Sequence, residues 1–123
     1  MNPETNTDLE TIEIVETVES PTRRYVVQAA PWEARASQWI YHPSLLDTAS
    51  KTLIWSPSST LWSLDKATWE SEQTVRLLLR KFPGNQHPAS VEVRINCLSK
   101  NAVVNGQSCS LNELEHYLDA VIH

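Results

Sequence analysis

Hydrophobic and polar residues alternate along much of the chain after residue 24, which is the period of a β-strand and not of a helix. The strongest alternation covers residues 73–82 and, after the Pro- and Gly-containing loop 83–88, residues 91–97. Its apolar positions are Val75, Leu77, Leu79, Val91, Val93, Ile95 and Cys97. Two alternating runs joined by a short loop predict a β-hairpin whose apolar side belongs to the core.

The other side of this predicted hairpin is basic. It carries Arg76, Arg80 and Arg94, with Glu92 among them. We expect Glu92 to lie opposite one of these arginines, since opposite charges across neighbouring strands attract.

Shorter β-prone segments precede and follow the hairpin, at residues 25–28, 36–41, 52–55, 60–64, 102–104 and 107–109. Pro31 and Pro43 are expected to end the first two, because proline interrupts a strand ladder and restricts the residue before it. Asp65-Lys66 is predicted to be a turn. Asn105-Gly106 predicts a two-residue hairpin turn, since both positions tolerate a positive φ.

A helix is predicted at the C-terminus. Ser110 and Glu113 have the spacing of a capping box. An apolar stripe follows at helical spacing, consisting of Leu111, Leu114, Tyr117, Leu118, Val121 and Ile122. The expected fold is therefore α+β: a bent antiparallel sheet, a meander of about five to seven strands, with the C-terminal helix packed on one face.

The first 20 residues differ from the rest. They hold six acidic residues, no basic residue and no aromatic residue. We therefore predict an acidic, disordered tail at residues 1–20 and a single domain at residues 21–123. The β-prone stretch Ile12-Glu13-Ile14-Val15-Glu16 is similar to a SUMO-interacting motif, which implies addition of a strand to a partner's sheet. The alternative is an edge strand of the domain itself, so whether residues 9–18 form a strand stays open.

Charge and composition limit the classes of partner and the compartment that the sequence predicts. The net charge of −5 belongs to the tail, and the near-neutral remainder does not favour nucleic acid. No apolar run is long enough for a membrane span, and no secretory leader is expected. Two isolated cysteines predict reduced thiols. The cytoplasm is therefore the expected compartment.

Five tryptophans are the most unusual feature of the composition. Trp55, Trp62 and Trp69 recur at seven-residue steps, which we interpret as successive strands of a tight meander. Two explanations remain open: a shared aromatic core, or an exposed platform for a peptide, a sugar or a single-stranded nucleic acid.

Motifs for catalysis are weak. No metal-ligand spacing, phosphate-binding loop or nucleophile motif occurs, so no cofactor, metal or catalytic residue is predicted. We expect a small non-catalytic binding or accessory protein whose partner is another protein or a second copy of the chain. The interaction is expected to use a Trp-rich sheet face or the acidic tail. The candidate binding residues are Trp55, Trp62, Trp69, Arg76, Arg80, Arg94, Asn85 and His87. The alternative is a ligand-binding protein or enzyme with a pocket between sheet and helix, where His87 or His116 serves as base.

Overall fold

The computed structural model of the chain describes residues 16–35, 38–83 and 89–122. These residues form two antiparallel sheets and one helix. The first sheet contains β1 (Glu16–Glu19), β2 (Tyr25–Arg35), β3 (Gln38–Asp47) and β4 (Thr52–Trp55), in that order. The second contains β5 (Trp62–Trp69), β6 (Thr74–Lys81), β7 (Val91–Asn96), β8 (Asn101–Val104) and β9 (Gln107–Ser110), also in sequence order. Helix α1 (Leu114–Val121) follows β9.

The antiparallel meander and the C-terminal helix confirm the expected arrangement in part. The strands number nine and form two sheets, where one bent sheet of five to seven strands was expected. The main difference is that β2 and β3 continue through Pro31 and Pro43. Within the described ranges, both prolines lie beyond the stretch where a second neighbour pairs, since β1 pairs with residues 26–29 and β4 with residues 45–47. A strand tolerates proline on an unpaired edge.

Strand β5 also runs further than predicted. Asp65-Lys66 is not a turn but the site of a β-bulge, where the register with β6 shifts between Leu64 and Lys66. Trp62 and Trp69 consequently lie at the two ends of one strand, not on neighbouring strands. A seven-residue step normally places residues on opposite sides of a strand, but the extra residue of the bulge returns both tryptophans to the same side.

The core is formed by the facing sides of the two sheets together with α1. The alternation predicted for β6 and β7 is confirmed, and the apolar positions on both strands are buried. Their main partners are Tyr25, Val27, Leu45 and Trp55 from the first sheet, and Leu111, Leu114, Leu118 and Ile122 from the C-terminal segment. The helix depends on this packing, because eight residues do not form a stable helix alone in water.

The capping box at Ser110 and Glu113 is not formed. Ser110 is the last residue of β9 and pairs with Asn101, so the chain leaves the sheet only after it. A turn follows, with Glu113 N–H donating to the Ser110 carbonyl at 3.0 Å, and the helix begins at Leu114. The Ser110 hydroxyl instead donates to the Glu113 carboxylate at 3.3 Å.

The N-terminal part of the described chain is attached to both sheets. Strand β1 pairs with β2, so residues 16–19 belong to the folded domain although the tail was predicted to reach residue 20. The Glu72 carboxylate, in the turn between β5 and β6, accepts hydrogen bonds from the Ser20 hydroxyl at 2.9 Å and from Thr22 N–H at 2.7 Å. The Thr22 hydroxyl is a third donor. The predicted segment from Ile12 to Val15 lies outside the described residues.

Candidate functional site

The three tryptophans predicted for a platform do not share an exposed surface. Trp62 is fully buried and Trp55 is 7% exposed, and both belong to the core cluster. Trp69 is half-buried and stacks on Tyr25, with ring centroids 6.3 Å apart. Of the two explanations left open by the sequence, a shared aromatic core therefore describes Trp55 and Trp62.

The predicted arginines lie on the outer side of the second sheet, and each of them pairs with a carboxylate. Arg76 and Arg94 are directly opposite each other on β6 and β7. Glu70 bridges them, with its carboxylate 3.3 Å from Arg76 Nη1 and 2.6 Å from Arg94 Nε. The hydrogen bond from Arg94 is the main reason that the pKa of Glu70 is lowered. The expected position of Glu92 opposite an arginine is wrong, since the register places it opposite Leu78. Glu92 instead reaches Arg76 diagonally, at 3.2 Å.

Arg80 is separate from that cluster. Its guanidinium pairs with Asp65 at 3.0 Å, and in the register of the sheet it lies opposite Ser63 on β5. Asn85 and His87, the other predicted site residues, lie outside the described residues. The structure thus leaves Arg80 as the one predicted residue that lines an open cleft with an exposed aromatic side chain.

This cleft has a volume of about 310 Å³ and lies between the β2–β3 hairpin and the second sheet. It is lined by Gln38, Trp39, Ser63, Arg80, Phe82 and Pro83. Trp39 is 53% exposed, whereas Phe82 is half-buried. We call it the Trp39 cleft. It combines planar apolar groups with a cation and hydrogen-bond donors, the usual composition of a recognition site.

The position of Trp39 follows from the length of the hairpin. Trp39 and Leu45 lie on the same side of β3, as the cross-strand register shows. Leu45 is buried in the core, but the hairpin extends past the core, so that Trp39 and Tyr41 are exposed on the same side. Trp39 therefore lies on the side of β3 that faces the core further along the strand, yet its side chain is accessible to a partner.

Hydrogen bonds hold this extended hairpin to the rest of the domain. Tyr41 N–H donates to the buried Ser63 hydroxyl at 3.0 Å, which attaches β3 to β5. On the opposite side of the hairpin, the Trp32 indole N–H donates to the Thr60 carbonyl at 3.1 Å, and His42 Nε2 lies 3.0 Å from the Pro57 carbonyl. Trp39 is therefore presented by a supported strand, which lowers the entropy that a partner must remove on binding.

Sequence reasoning missed Trp39 and Phe82 as site residues. The seven-residue step that drew attention to the tryptophans also joins Trp32 to Trp39. Their exposure depends on where the hairpin passes the edge of the core, which no local pattern indicates. Phe82 follows the last residue of β6 and is the only phenylalanine of the chain. The presence of a single phenylalanine does not indicate where in the fold its side chain lies.

Nucleophilic chemistry is not supported by the cysteines. Both are buried and free. Burial raises the pKa of Cys97 to about 12, and it also raises the pKa of Cys109. A thiol with a raised pKa stays protonated and is a poor nucleophile. Among the residues that the structure describes, no group of three or more His, Cys, Asp or Glu side chains is placed to hold a metal ion.

Between sheet and helix, where the sequence allowed for a pocket, apolar side chains pack closely, and a cleft of about 290 Å³ lies beside Val121 at the end of α1. Leu114 and Leu118 are fully buried against the core. His116 is exposed on α1 and packs edge-on against Tyr117. The helix is attached at its other side by Glu115, which accepts from the Ser58 and Ser59 backbone N–H groups at 2.7 and 2.9 Å.

The comparisons with known proteins assign no function to the site. In the described ranges, no helix is long and apolar enough to cross a membrane. The chain gives no significant match to a protein-family model, to a curated protein or to a solved structure.

Proposed function

We propose that this chain is a non-catalytic binding protein that recognises a partner protein through the Trp39 cleft. The observation that carries the proposal is the exposure of Trp39, at 53%, on a hydrogen-bonded hairpin beside an open cleft. Tryptophan and arginine are the residues most enriched at energetic centres of protein interfaces, and this cleft contains one of each.

The cleft differs from other exposed apolar positions. Leu53 and Leu98 are 60% and 59% exposed, but neither lines this cleft or is aromatic. Single exposed leucines are normal on a protein surface. A second cleft, of about 290 Å³, includes Arg76, Glu92 and Arg94, whose charges neutralise one another. Arg80 in the Trp39 cleft is likewise paired, with Asp65 at 3.0 Å, so the two clefts differ in the exposed indole, which the second cleft lacks.

Binding rather than catalysis agrees with the groups that line the cleft. The charged side chain of its lining is Arg80, whose guanidinium supplies hydrogen-bond donors only and pairs with Asp65 at 3.0 Å. Gln38 and Trp39 do not titrate in the physiological range. The cytoplasm remains the compartment that we propose, in keeping with the two free thiols.

A peptide-display selection against the folded chain tests the proposal. Random peptides are selected on the wild-type protein and their binding is then measured on Trp39→Ala and Leu53→Ala. We expect ligands that lose at least about thirtyfold in affinity on Trp39→Ala and bind Leu53→Ala as they bind wild type. Leu53→Ala is the matched control because it removes a similarly exposed apolar side chain elsewhere.

Selected ligands that bind Trp39→Ala as tightly as wild type would contradict the proposal. A second copy of the chain is among the candidate partners, so sedimentation of both variants belongs to the experiment. Self-association through the cleft predicts a dimer that Trp39→Ala dissociates and Leu53→Ala does not.

A further inference from the structure

We infer that the Trp39 cleft binds an extended, proline-containing segment of the partner in the polyproline II conformation. The inference rests on the proposed function and adds the chemistry of the ligand. It follows from three properties of the cleft. These are the kinds of hydrogen-bonding groups in its lining, the flat shape of the apolar side chains, and the fact that neighbouring backbone N–H groups are already hydrogen-bonded.

The polar groups of the lining are mostly donors. The Trp39 indole and the Arg80 guanidinium donate and do not accept. The Ser63 hydroxyl oxygen already accepts from Tyr41 N–H at 3.0 Å, which leaves its hydrogen to donate. The Gln38 amide supplies both kinds of group, and the Ser63 oxygen keeps a second lone pair. Arg80 Nη2 already donates to Asp65 at 3.0 Å, which leaves its remaining N–H groups for a ligand. Donors still outnumber acceptors, so a complementary ligand is rich in acceptors.

The apolar part of the lining consists of flat rings. Trp39 contributes an indole, Phe82 a phenyl ring and Pro83 a pyrrolidine ring. Aromatic-lined grooves of this type accept the rings of proline residues, whose ligands lose little entropy because the polyproline II helix is formed before binding. Proline also matches the donor-rich lining, since each residue offers a carbonyl acceptor and no N–H group.

Addition of a partner strand is disfavoured because two backbone N–H groups beside the cleft already donate hydrogen bonds within the domain. Tyr41 N–H, on the edge of β3, is taken by Ser63. Phe82 N–H, at the end of β6, donates to the Leu61 carbonyl at 2.8 Å. A peptide that needs a ladder of backbone hydrogen bonds finds neither group available here. A polyproline II ligand needs no such ladder, because side-chain donors and ring contacts hold it.

The test uses the full chain, labelled with ¹⁵N, and a capped oligoproline peptide of about ten residues. The protein has five tryptophans and hence five indole N–H resonances. The Trp39 resonance is identified by its absence from the Trp39→Ala spectrum. We expect oligoproline to shift this resonance more than the other four, and a capped Gly-Ser peptide of equal length to leave it unchanged. Affinity for oligoproline should fall at least about thirtyfold in Trp39→Ala and stay unchanged in Leu53→Ala.

Equal binding of the Gly-Ser peptide, shifts centred on another indole, or no shift at saturating oligoproline would overturn the inference. Once the Trp39→Ala spectrum has assigned the Trp39 resonance, the shift pattern of the wild-type protein decides this. If display selection gives Trp39-dependent peptides that lack proline, the proposed function stands and this inference fails. If soluble oligosaccharides shift the Trp39 resonance and neither oligoproline nor selected peptides do, both fail.

Discussion

The indole N–H of Trp69 on β5 donates a hydrogen bond of 3.0 Å to the backbone carbonyl of Val18 on β1. The same ring stacks on Tyr25. β1 is an edge strand of the first sheet, whereas Trp69 belongs to the second. One side chain thus holds the terminal strand against the opposite sheet and occupies a carbonyl on an otherwise open edge.

Trp69→Phe should loosen β1 more than the rest of the domain. Phenylalanine keeps a ring beside Tyr25 but lacks the indole donor, so the Val18 carbonyl loses its partner at a cost of roughly 1 kcal/mol. Hydrogen exchange at the amides of β1 should accelerate more than exchange in β6. Trp62→Phe is the matched control, since the described residues provide no acceptor for its buried indole N–H. Equal acceleration in both variants would contradict the role of the hydrogen bond.

Glu72 should make the N-terminal attachment sensitive to acid. The hydrogen bond from the Thr22 hydroxyl is the main reason that its pKa lies below the usual 4.5. Because the pKa is lower in the folded chain than in the unfolded one, this stabilisation is complete above the unfolded value. It is lost as the pH falls through the folded value.

The measurement compares wild type with Glu72→Gln. We expect the urea midpoint of wild type to exceed that of Glu72→Gln at about pH 7, and the gap to shrink as the pH falls through the lowered pKa of Glu72 and its carboxylate becomes protonated. A gap that stays constant or widens on acidification would show that the carboxylate charge is not what holds Ser20 and Thr22.

Glu70 should determine how the domain responds to salt. It separates Arg76 and Arg94, which are directly opposite on neighbouring strands. In Glu70→Gln the two guanidinium groups repel each other, so the melting temperature should fall and then rise towards the wild-type value when salt is added. Glu92→Gln is the control, since in the described residues Glu92 forms an ion pair with Arg76 but does not bridge the two guanidinium groups. A Glu70→Gln variant whose melting temperature responds to salt as wild type does would refute this account.

The elements that the sequence predicts correctly are those determined by interactions between residues close together in the sequence. The β6–β7 hairpin follows from strict alternation, and the β8–β9 turn follows from Asn105-Gly106. Helix α1 was predicted from its stripe, but its start was placed too early because Ser110 still belongs to β9. In each case the physical preference is local, and the error is confined to an end.

The remaining features depend on contacts distant in sequence. Pro31 does not end β2, because among the described residues no strand pairs with that edge at this point. The bulge at Asp65 sets the side of β5 on which Trp69 lies. Trp39 and Leu45 occupy equivalent positions in the alternating pattern of β3. Leu45 is buried because the second sheet covers it, whereas Trp39 is exposed because the hairpin extends past that sheet. The site was missed because exposure is a property of the assembled sheets.

Leu118→Ala should test how far the sheets depend on α1. Leu118 is fully buried in the core cluster, so its truncation should lower the free energy of unfolding by about 2–5 kcal/mol. Leu98→Ala makes the same chemical change at a side chain that is 59% exposed, and should alter stability by less than about 0.5 kcal/mol. Urea denaturation measures both. Similar costs in the two variants would mean that α1 does not pack as described.

Gly106→Ala should isolate the conformational cost of the β8–β9 turn. Gly106 has a φ of 80°, and Asn105 before it has a φ of 53°. A Cβ at Gly106 would meet no atom within 4 Å, so the cost of alanine is the backbone strain alone, about 1 kcal/mol. Gly106→Asn should cost less, because asparagine adopts positive φ more readily than alanine. Thermal unfolding of the two variants gives the comparison. If asparagine were as destabilising as alanine, the penalty would come from lost turn contacts and not from the left-handed backbone.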